Sequence, residues 1–395
     1  MSGPLTGISV IELSRYIAAP VTGKTLGELG ADVIKIEDPD RGDPMRYWQS
    51  GDREHSPQFA AYNRTKRGMT LDLKLDAGRE IFLRLADGAD VVVENFRPGV
   101  MDRLGIGWSV LEPRNSRLVY ASITGFGTTG PYADRPAYDT VISAMSALFS
   151  QIMDPARPQP MGPAFSDVLS GTYAALGIIA ALYARESTGR GQYVDTTMLR
   201  AVLGFLVESG STFLDQGEAT DSTTRQRRAQ SYGLVSSDGA PFVIHMSVPE
   251  KFWIAATDAF GLAELRSDPR FIDRQARHDN YFELDALLKT AAATRTLSAW
   301  FEILEAADLP HGRINGFDTV FDDPQVRELG IVETIGMPDG QRPLTQVGAP
   351  FSLSDTPLRV APPAPTLGQD TVAILDELGY TGEEVDHLRR SGVIS

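Results

Sequence analysis

Ile8-Ser9-Val10-Ile11-Glu12-Leu13 and Gly30-Ala31-Asp32-Val33-Ile34-Lys35-Ile36-Glu37 frame the stretch whose reading decides the fold. The first is a short apolar run of strand length. Residues 18–29 then carry apolar side chains at helical spacing, and Gly30-Ala31-Asp32 leads into a second apolar run over 33–36. Strand, helix and strand in this order make a βαβ unit, in which the helix carries the chain back so that the strands run parallel. The pattern recurs: a helix over 77–86 feeds Asp90-Val91-Val92-Val93, and Leu118-Val119-Tyr120-Ala121-Ser122-Ile123 reads as another buried strand. Such alternation predicts an α/β fold with a mostly parallel sheet covered by helices.

Further along, the spacing predicts helices over 140–149 and 168–185, a strand over 193–196 and a long helix from Met198. Residues 215–230 are polar without an apolar period and read as a linker or exposed crossing. Residues 232–246 read as a hairpin turning at Ser237-Asp238-Gly239, followed by helices over 251–260, 277–292 and 297–307, which makes a second, smaller α+β domain. The stretch 336–368 is dense in Pro and Gly, and helices over 370–378 and 383–391 close the chain.

A chain of 395 residues is long enough for two or three domains. Its 37 Lys and Arg stand against 52 Asp and Glu, a net charge of −15, which argues against a nucleic-acid coat because phosphate binding needs a basic face. The absence of Cys excludes disulfides, thiolate zinc sites and a Cys nucleophile. The five His form no metal-ligand pattern, and no metal is expected. The start of the chain lacks the features of a signal peptide, and the apolar run 168–184 is rich in Gly, Ala and Ser and falls short of the ~20 strongly apolar residues of a span. A soluble, cytoplasmic protein with no membrane partner is expected.

Four motifs could carry chemistry. Gly125-Phe126-Gly127-Thr128-Thr129-Gly130 matches the dinucleotide fingerprint, yet Pro131 and Pro136 follow at once and block the helix that should receive a pyrophosphate. A plain Gly-rich loop is the better reading. Asn63-Arg64-Thr65-Lys66-Arg67-Gly68 sets three cations within four residues of an acidic chain, either as a phosphate clamp or as a solvated basic turn. Glu94-Asn95-Phe96-Arg97-Pro98-Gly99 follows a buried strand, where ligands of open α/β sheets gather, with Arg103 one turn into the next helix; it could equally be an ordinary connection. Asp167 stands at the start of the apolar helix, as an N-cap or as a nucleophile kept ionised by the helix dipole and by an ordinary carboxyl pKa near 3.9.

Taken in order, these blocks resemble the family III CoA-transferases, which include formyl-CoA transferase, carnitine CoA-transferase and α-methylacyl-CoA racemase. The likeness rests on residues 30–37, on 63–67 with Leu71-Asp72-Leu73, on 94–99, on Gly125-Phe126-Gly127 through Tyr138-Asp139 and Asp167, on the turn Thr188-Gly189-Arg190-Gly191-Gln192, and on Gly368 before the terminal helices. It implies an acyl-CoA:carboxylate CoA-transferase with Asp167 as catalytic residue. Contacts to coenzyme A would come from Arg64, Lys66, Arg67, Asn95, Phe96, Arg97, Arg103, Tyr138 and Asp139. CoA would be a substrate, with no permanently bound cofactor, and the partners would be an acyl-CoA and a carboxylic acid acceptor. The family's fold implies a large Rossmann-like domain over 1–200 completed by 331–395, linkers over 201–230 and 313–330, a small α+β domain over 231–312, and an interlocked homodimer. Two readings stay beside transfer: a racemase or isomerase of the same scaffold, and a noncatalytic acyl-CoA binder. Tyr138 stands where the racemases carry a histidine, and a phenol of pKa near 10 is a poor base, which favours transfer. No run of consecutive glycines like the loop of formyl-CoA transferase occurs in the second half, and Ile17 stands in place of that enzyme's glutamine. Some other carboxylic acid, a dicarboxylate among them, is therefore the expected acceptor.

Overall fold

The computed structural model describes residues 3–48, 55–336, 343–358 and 362–395. Six parallel strands form the main sheet: β1 (Ser9–Leu13), β2 (Asp32–Glu37), β3 (Lys66–Thr70), β4 (Val91–Glu94), β5 (Val119–Thr124) and β6 (Tyr193–Thr197). Their spatial order is β3-β2-β1-β4-β5-β6. The sheet grows outward in two directions from β1, which pairs with β2 on one side and β4 on the other. The direction in which strands are added therefore reverses between β1 and β4, and the loops leaving these strands diverge above the sheet's carboxyl edge, leaving a crevice.

Both sheet faces are covered, so the central strands are apolar throughout; Val91, Val92 and Val93 are fully buried. One face packs on helix Asp76–Gly88 and the terminal helices, the other on helices Ala18–Glu28 and Phe165–Thr188. The last two approach closely because Gly171 has no side chain: a Cβ there would lie 2.2 Å from the Ala18 carbonyl oxygen. Helix Phe165–Thr188 has the length and hydropathy of a membrane span, yet Ser170, Gly171, Ala174, Ala175, Ile178 and Ala181 are buried. The C-terminal segment seals the β3 edge. Asp370 accepts from the Gly68 amide at 2.7 Å, Thr371 from the Thr70 amide at 3.0 Å, and the Ser395 amide donates to the Thr70 hydroxyl at 3.1 Å.

The chain groups into two compact bodies. One comprises Met1–Phe149, Gln159–Gly210 and Leu329–Ser395, the other Ser150–Pro158 and Ser211–Glu328. The second body holds a three-stranded antiparallel sheet of β7 (Ser231–Val235), β8 (Pro241–His245) and β9 (His311–Arg313), packed on helices around Trp253, Leu284 and Trp300. Strand β9 escapes the sequence reading because three residues are too few to show alternation. The expected linker over 201–230 is largely helical: Met198–Phe205, Val207–Gln216 and Thr224–Ala229. The last of these is made of straight-chain Arg and Gln residues, good helix formers that leave no apolar period. The stretch 313–330 likewise contains helix Pro324–Glu328, and the expected helix over 140–149 divides into Asp139–Met145 and Leu148–Ile152 around Ala147, whose φ is +66°. A two-stranded hairpin of β10 (Val332–Ile335) and β11 (Leu344–Val347) belongs to the first body.

Candidate active site

The carboxyl ends of the strands carry two adjoining cavities. One, of about 280 Å³, is lined by the residues that leave β1, β2 and β3, among them Ser14, Asp38, Leu73 and Lys74. The other, of about 330 Å³, lies over β1, β4 and β5 and contains Arg15, Tyr16, Asn95, Arg97, Arg135, Tyr138 and Asp167 in its walls. Arg15 and Phe96 line both. At the reversal point the Asn95 side chain clasps the loop leaving β1, accepting from the Arg15 amide at 3.0 Å and donating to the Arg15 carbonyl at 2.9 Å. Behind the second cavity the backbone at Gly125 passes so near Ala137 that a Cβ would meet its methyl at 2.1 Å. The loop after β5 runs without helix to Asp139, as the prolines require.

Asp167 lies in the first turn of helix Phe165–Thr188. It is not the cap. Asp139 takes that part from a neighbouring element, accepting from the Ser166 amide at 2.7 Å, the Ser166 hydroxyl at 2.8 Å and the Asp167 amide at 3.4 Å. With the free amides engaged and no cation paired to it among the described residues, the Asp167 carboxyl is pushed up to about 7, by burial first and by the Asp139 charge second. The expectation of an ordinary carboxyl pKa is thus corrected: desolvation and a like charge outweigh the helix dipole. The phenol of Tyr62 senses the same carboxylate, which together with burial raises its pKa.

A partly buried carboxyl facing a cavity lined by guanidinium groups, at the reversal point of a doubly wound sheet, can bind a polyanionic ligand and attack an activated acyl group within it. The comparisons identify the family. The family model "CoA-transferase family III" matches residues 5–371. The chain is a family III CoA-transferase. It is 37% identical to the acetyl-CoA:oxalate CoA-transferase of Acetobacter aceti over 78% of this chain and 80% of that one. It is 33% identical to the succinate–glutarate CoA-transferase of Agrobacterium fabrum, with 95% and 96% covered. The crystal structure of a CaiB/BaiF family protein from Brucella suis superposes with a TM-score of 0.85 at 34% identity, covering 96% of this chain and all of that one.

The transferase brings only part of the expected contact set together. Asn95, Phe96, Arg97, Tyr138 and Asp167 share the cavity walls. Arg64, Lys66 and Arg67 do not. Lys66 and Arg67 open β3 and pair in register with Val33 and Ile34, away from the sheet's carboxyl edge. Lys66 is buried, with its ammonium 2.9 and 2.8 Å from the two Glu12 oxygens and 2.9 Å from Asn63 Oδ1. Arg64 is buried against Glu28 and donates to the Val347 carbonyl at 2.9 Å. Arg67 pairs with Asp32 at 3.0 Å and Glu377 at 2.5 Å. All three are paired with acids of the chain itself, Arg64 and Lys66 with buried ones and Arg67 with exposed ones, and none of them lines either cavity. Asp139 braces the helix start and lies outside the cavity lining, and Arg103 is exposed on helix Val100–Arg103 and lines neither cavity.

Sequence reasoning missed Arg15, Lys74 and Arg135, the cations that do face the cavities. For Arg15 and Lys74 a usable signal exists: each stands a few residues after the last apolar residue of a predicted strand. Glu94 was also missed. It ends an otherwise apolar strand, is buried, accepts from the Phe96 amide at 2.8 Å and so fixes the turn that presents Asn95 and Phe96; burial pushes its carboxyl up to about 7.

Proposed function

We propose that this transferase moves coenzyme A from an acyl-CoA to a carboxylic acid through covalent intermediates on Asp167. The Asp167 carboxylate attacks the donor thioester carbonyl and expels CoA thiolate, leaving a mixed anhydride. The thiolate attacks the aspartyl carbonyl and releases the donor acid, leaving an aspartyl-CoA thioester. The acceptor carboxylate attacks that thioester and expels thiolate, giving a second anhydride. Thiolate then attacks the acceptor's acyl carbon, which yields the new acyl-CoA and restores the Asp167 carboxylate. Every intermediate is an activated acyl species, so the energy of the thioester is retained as long as water is kept out.

The observation that carries this reading is the placement of Asp167 in one cavity with Arg15, Arg97 and Arg135, for none of which an ion pair with a carboxylate is formed among the described residues. Those guanidinium groups suit the phosphates of CoA and a second carboxylate on the acceptor. A dicarboxylic acid as acceptor agrees with the oxalate and glutarate named for the relatives. Tyr138 can pack along the pantetheine arm. No histidine lines the cavity among the described residues, which supports transfer over α-proton exchange. A homodimer belongs to the same reading, and the exposed Leu176 and Tyr183 on helix Phe165–Thr188 suit a face covered by a second copy.

The decisive experiment incubates the protein with an acyl-CoA donor and hydroxylamine and maps the product by mass spectrometry. A hydroxamate on Asp167 is expected. Unmodified Asp167 during active turnover refutes the nucleophile. A screen of CoA donors against pooled carboxylic acids then names the substrates.

A further inference from the structure

Tyr16 has a backbone φ of +66°, in the left-handed region that a bulky residue occupies only when its surroundings force it. Such a conformation is strained and gathers at functional sites. Two clamps impose it. Asn95 holds both backbone polar groups of Arg15, immediately before it. Asp43 accepts the Tyr16 amide at 3.2 Å from each carboxylate oxygen, and Asp43 is itself anchored by Lys35 at 3.2 Å in the sheet's interior. Helix Ala18–Glu28 begins two residues later. Glycine would take this geometry without strain, so the position is occupied at a cost by a side chain that must do something there.

That side chain lines the Asp167 cavity. The Tyr16 ring meets the Tyr138 ring edge-on at 6.1 Å between centroids and leans on Trp48 at 6.0 Å on another side. Tyr138 needs such a support, because it is 60% exposed on a loop and does not cap helix Asp139–Met145; its phenol is hydrogen-bonded to that of Tyr16. An exposed phenol that swings freely loses its value as a donor, since a hydrogen bond aimed at developing charge works when its geometry is set beforehand.

Resting on the transfer reading above, we infer that Tyr16 is a positioning residue: its strained backbone wedges the ring against Tyr138 and holds the Tyr138 hydroxyl toward the cavity, as a donor to the oxyanion that forms in each acyl exchange at Asp167. Tyr16 itself touches no reacting atom. Its loss should therefore act on turnover through Tyr138 and leave the affinity for CoA esters alone.

The test measures exchange kinetics of the full chain with the donor and acceptor found active for the wild type. Tyr16→Leu, which removes the ring, and Tyr138→Phe, which removes the hydroxyl, are each expected to lower kcat about tenfold or more with KM for the CoA ester unchanged within about twofold. The double variant should be no slower than the slower single variant, and Tyr16→Phe, which keeps the ring and gives up only the hydrogen bond between the two phenols, should be faster than Tyr16→Leu. Tyr16→Gly, free of backbone strain, replaces Tyr16→Leu if the latter does not fold, with the same expectation. An active wild type whose Tyr16→Leu or Tyr16→Gly variant keeps kcat within about twofold, or whose double variant loses the product of both single effects, overturns the inference and leaves the transfer reading intact. A wild type with no exchange at all removes both.

Discussion

Two charged assemblies share the first body of this transferase, and they are built on opposite rules. In the interior, Glu12 is shared by Lys66 and Lys35 and accepts from the Ser14 hydroxyl at 2.5 Å. Burial alone would raise its pKa, but the two ammonium groups hold it below the usual carboxylate range. In the cleft, Asp167 meets no cation and Arg15, Arg97 and Arg135 meet no carboxylate among the described residues, although all four line one cavity. The interior assembly is complete by itself. The cleft leaves both signs unmatched, and a ligand that carries phosphates at one end and an electrophilic carbonyl at the other completes it. The state of pairing, more than the density of charge along the chain, separates structural ions from working ones.

The largest effect should come from the unmatched acid. Asp167→Asn is expected to lower exchange by about a thousandfold or more, because an amide cannot form the covalent intermediates. On the proposed mechanism, only the ionised carboxylate of the wild type attacks. With a pKa of about 7 in the unliganded protein, kcat/KM should fall about tenfold per unit of pH below 7 and level off above it. The same shift affects stability in the opposite sense. The folded state holds the Asp167 proton more tightly than the unfolded chain, so the cost of burying the charge sets in as pH rises past the ordinary carboxyl value of 3.8 and is complete above about 7. Asp167→Asn should therefore melt higher than wild type at pH 8 and equally at pH 4. A flat pH–rate profile between 5 and 8 would place Asp167 among the matched charges.

Next comes the interior. Lys66→Met leaves Glu12 buried with half its partners, and breaking one side of a buried pair costs about 3–5 kcal/mol. Denaturant unfolding should show that loss. A Lys66→Met protein of unchanged stability and raised KM for CoA would erase the distinction drawn above and return Lys66 to the ligand.

The same distinction explains what the sequence could and could not disclose. The βαβ rhythm of residues 8–36 and the valines of β4 suffice for a parallel sheet, because burial on both faces writes itself into continuous apolar runs. The segment 94–99 was singled out through the rule that ligands gather where strands end, and Asp167 through its place at the start of an apolar helix. The pairing of Arg64, Lys66 and Arg67 was not legible for a physical reason: a run of cations looks alike whether its partners are phosphates or the carboxylates of Glu28, Glu12, Asp32 and Glu377, which lie 36, 54, 35 and 310 residues away. Asp139 illustrates the converse, since a carboxylate beside a motif tyrosine turned out to cap a helix through Ser166, 27 residues later.

A smaller effect, on binding alone, should follow from the cleft cations. Arg97→Ala is expected to raise KM for the CoA ester about tenfold, as for one charge-assisted hydrogen bond, and to leave the unfolding free energy within about 0.5 kcal/mol. Raising the salt concentration should shrink the difference between wild type and variant.

Arg67 supplies the smallest effect and the sharpest control, because its guanidinium is a quarter exposed and both of its partners are more than half exposed. Pairs of this kind contribute about 0–1 kcal/mol and are screened by salt. Arg67→Ala should cost less than about 1 kcal/mol, with the loss vanishing at high salt, and should leave KM for the CoA ester where it was. The pair with Glu377 ties helix Thr371–Glu377 to the edge strand β3, so the residual effect should appear as faster amide exchange in that helix while the sheet's core stays protected. If Arg67→Ala instead weakens CoA binding as much as Arg97→Ala does, pairing to an acid of the chain itself does not disqualify a cation from ligand binding here, and the rule that divides the two assemblies fails.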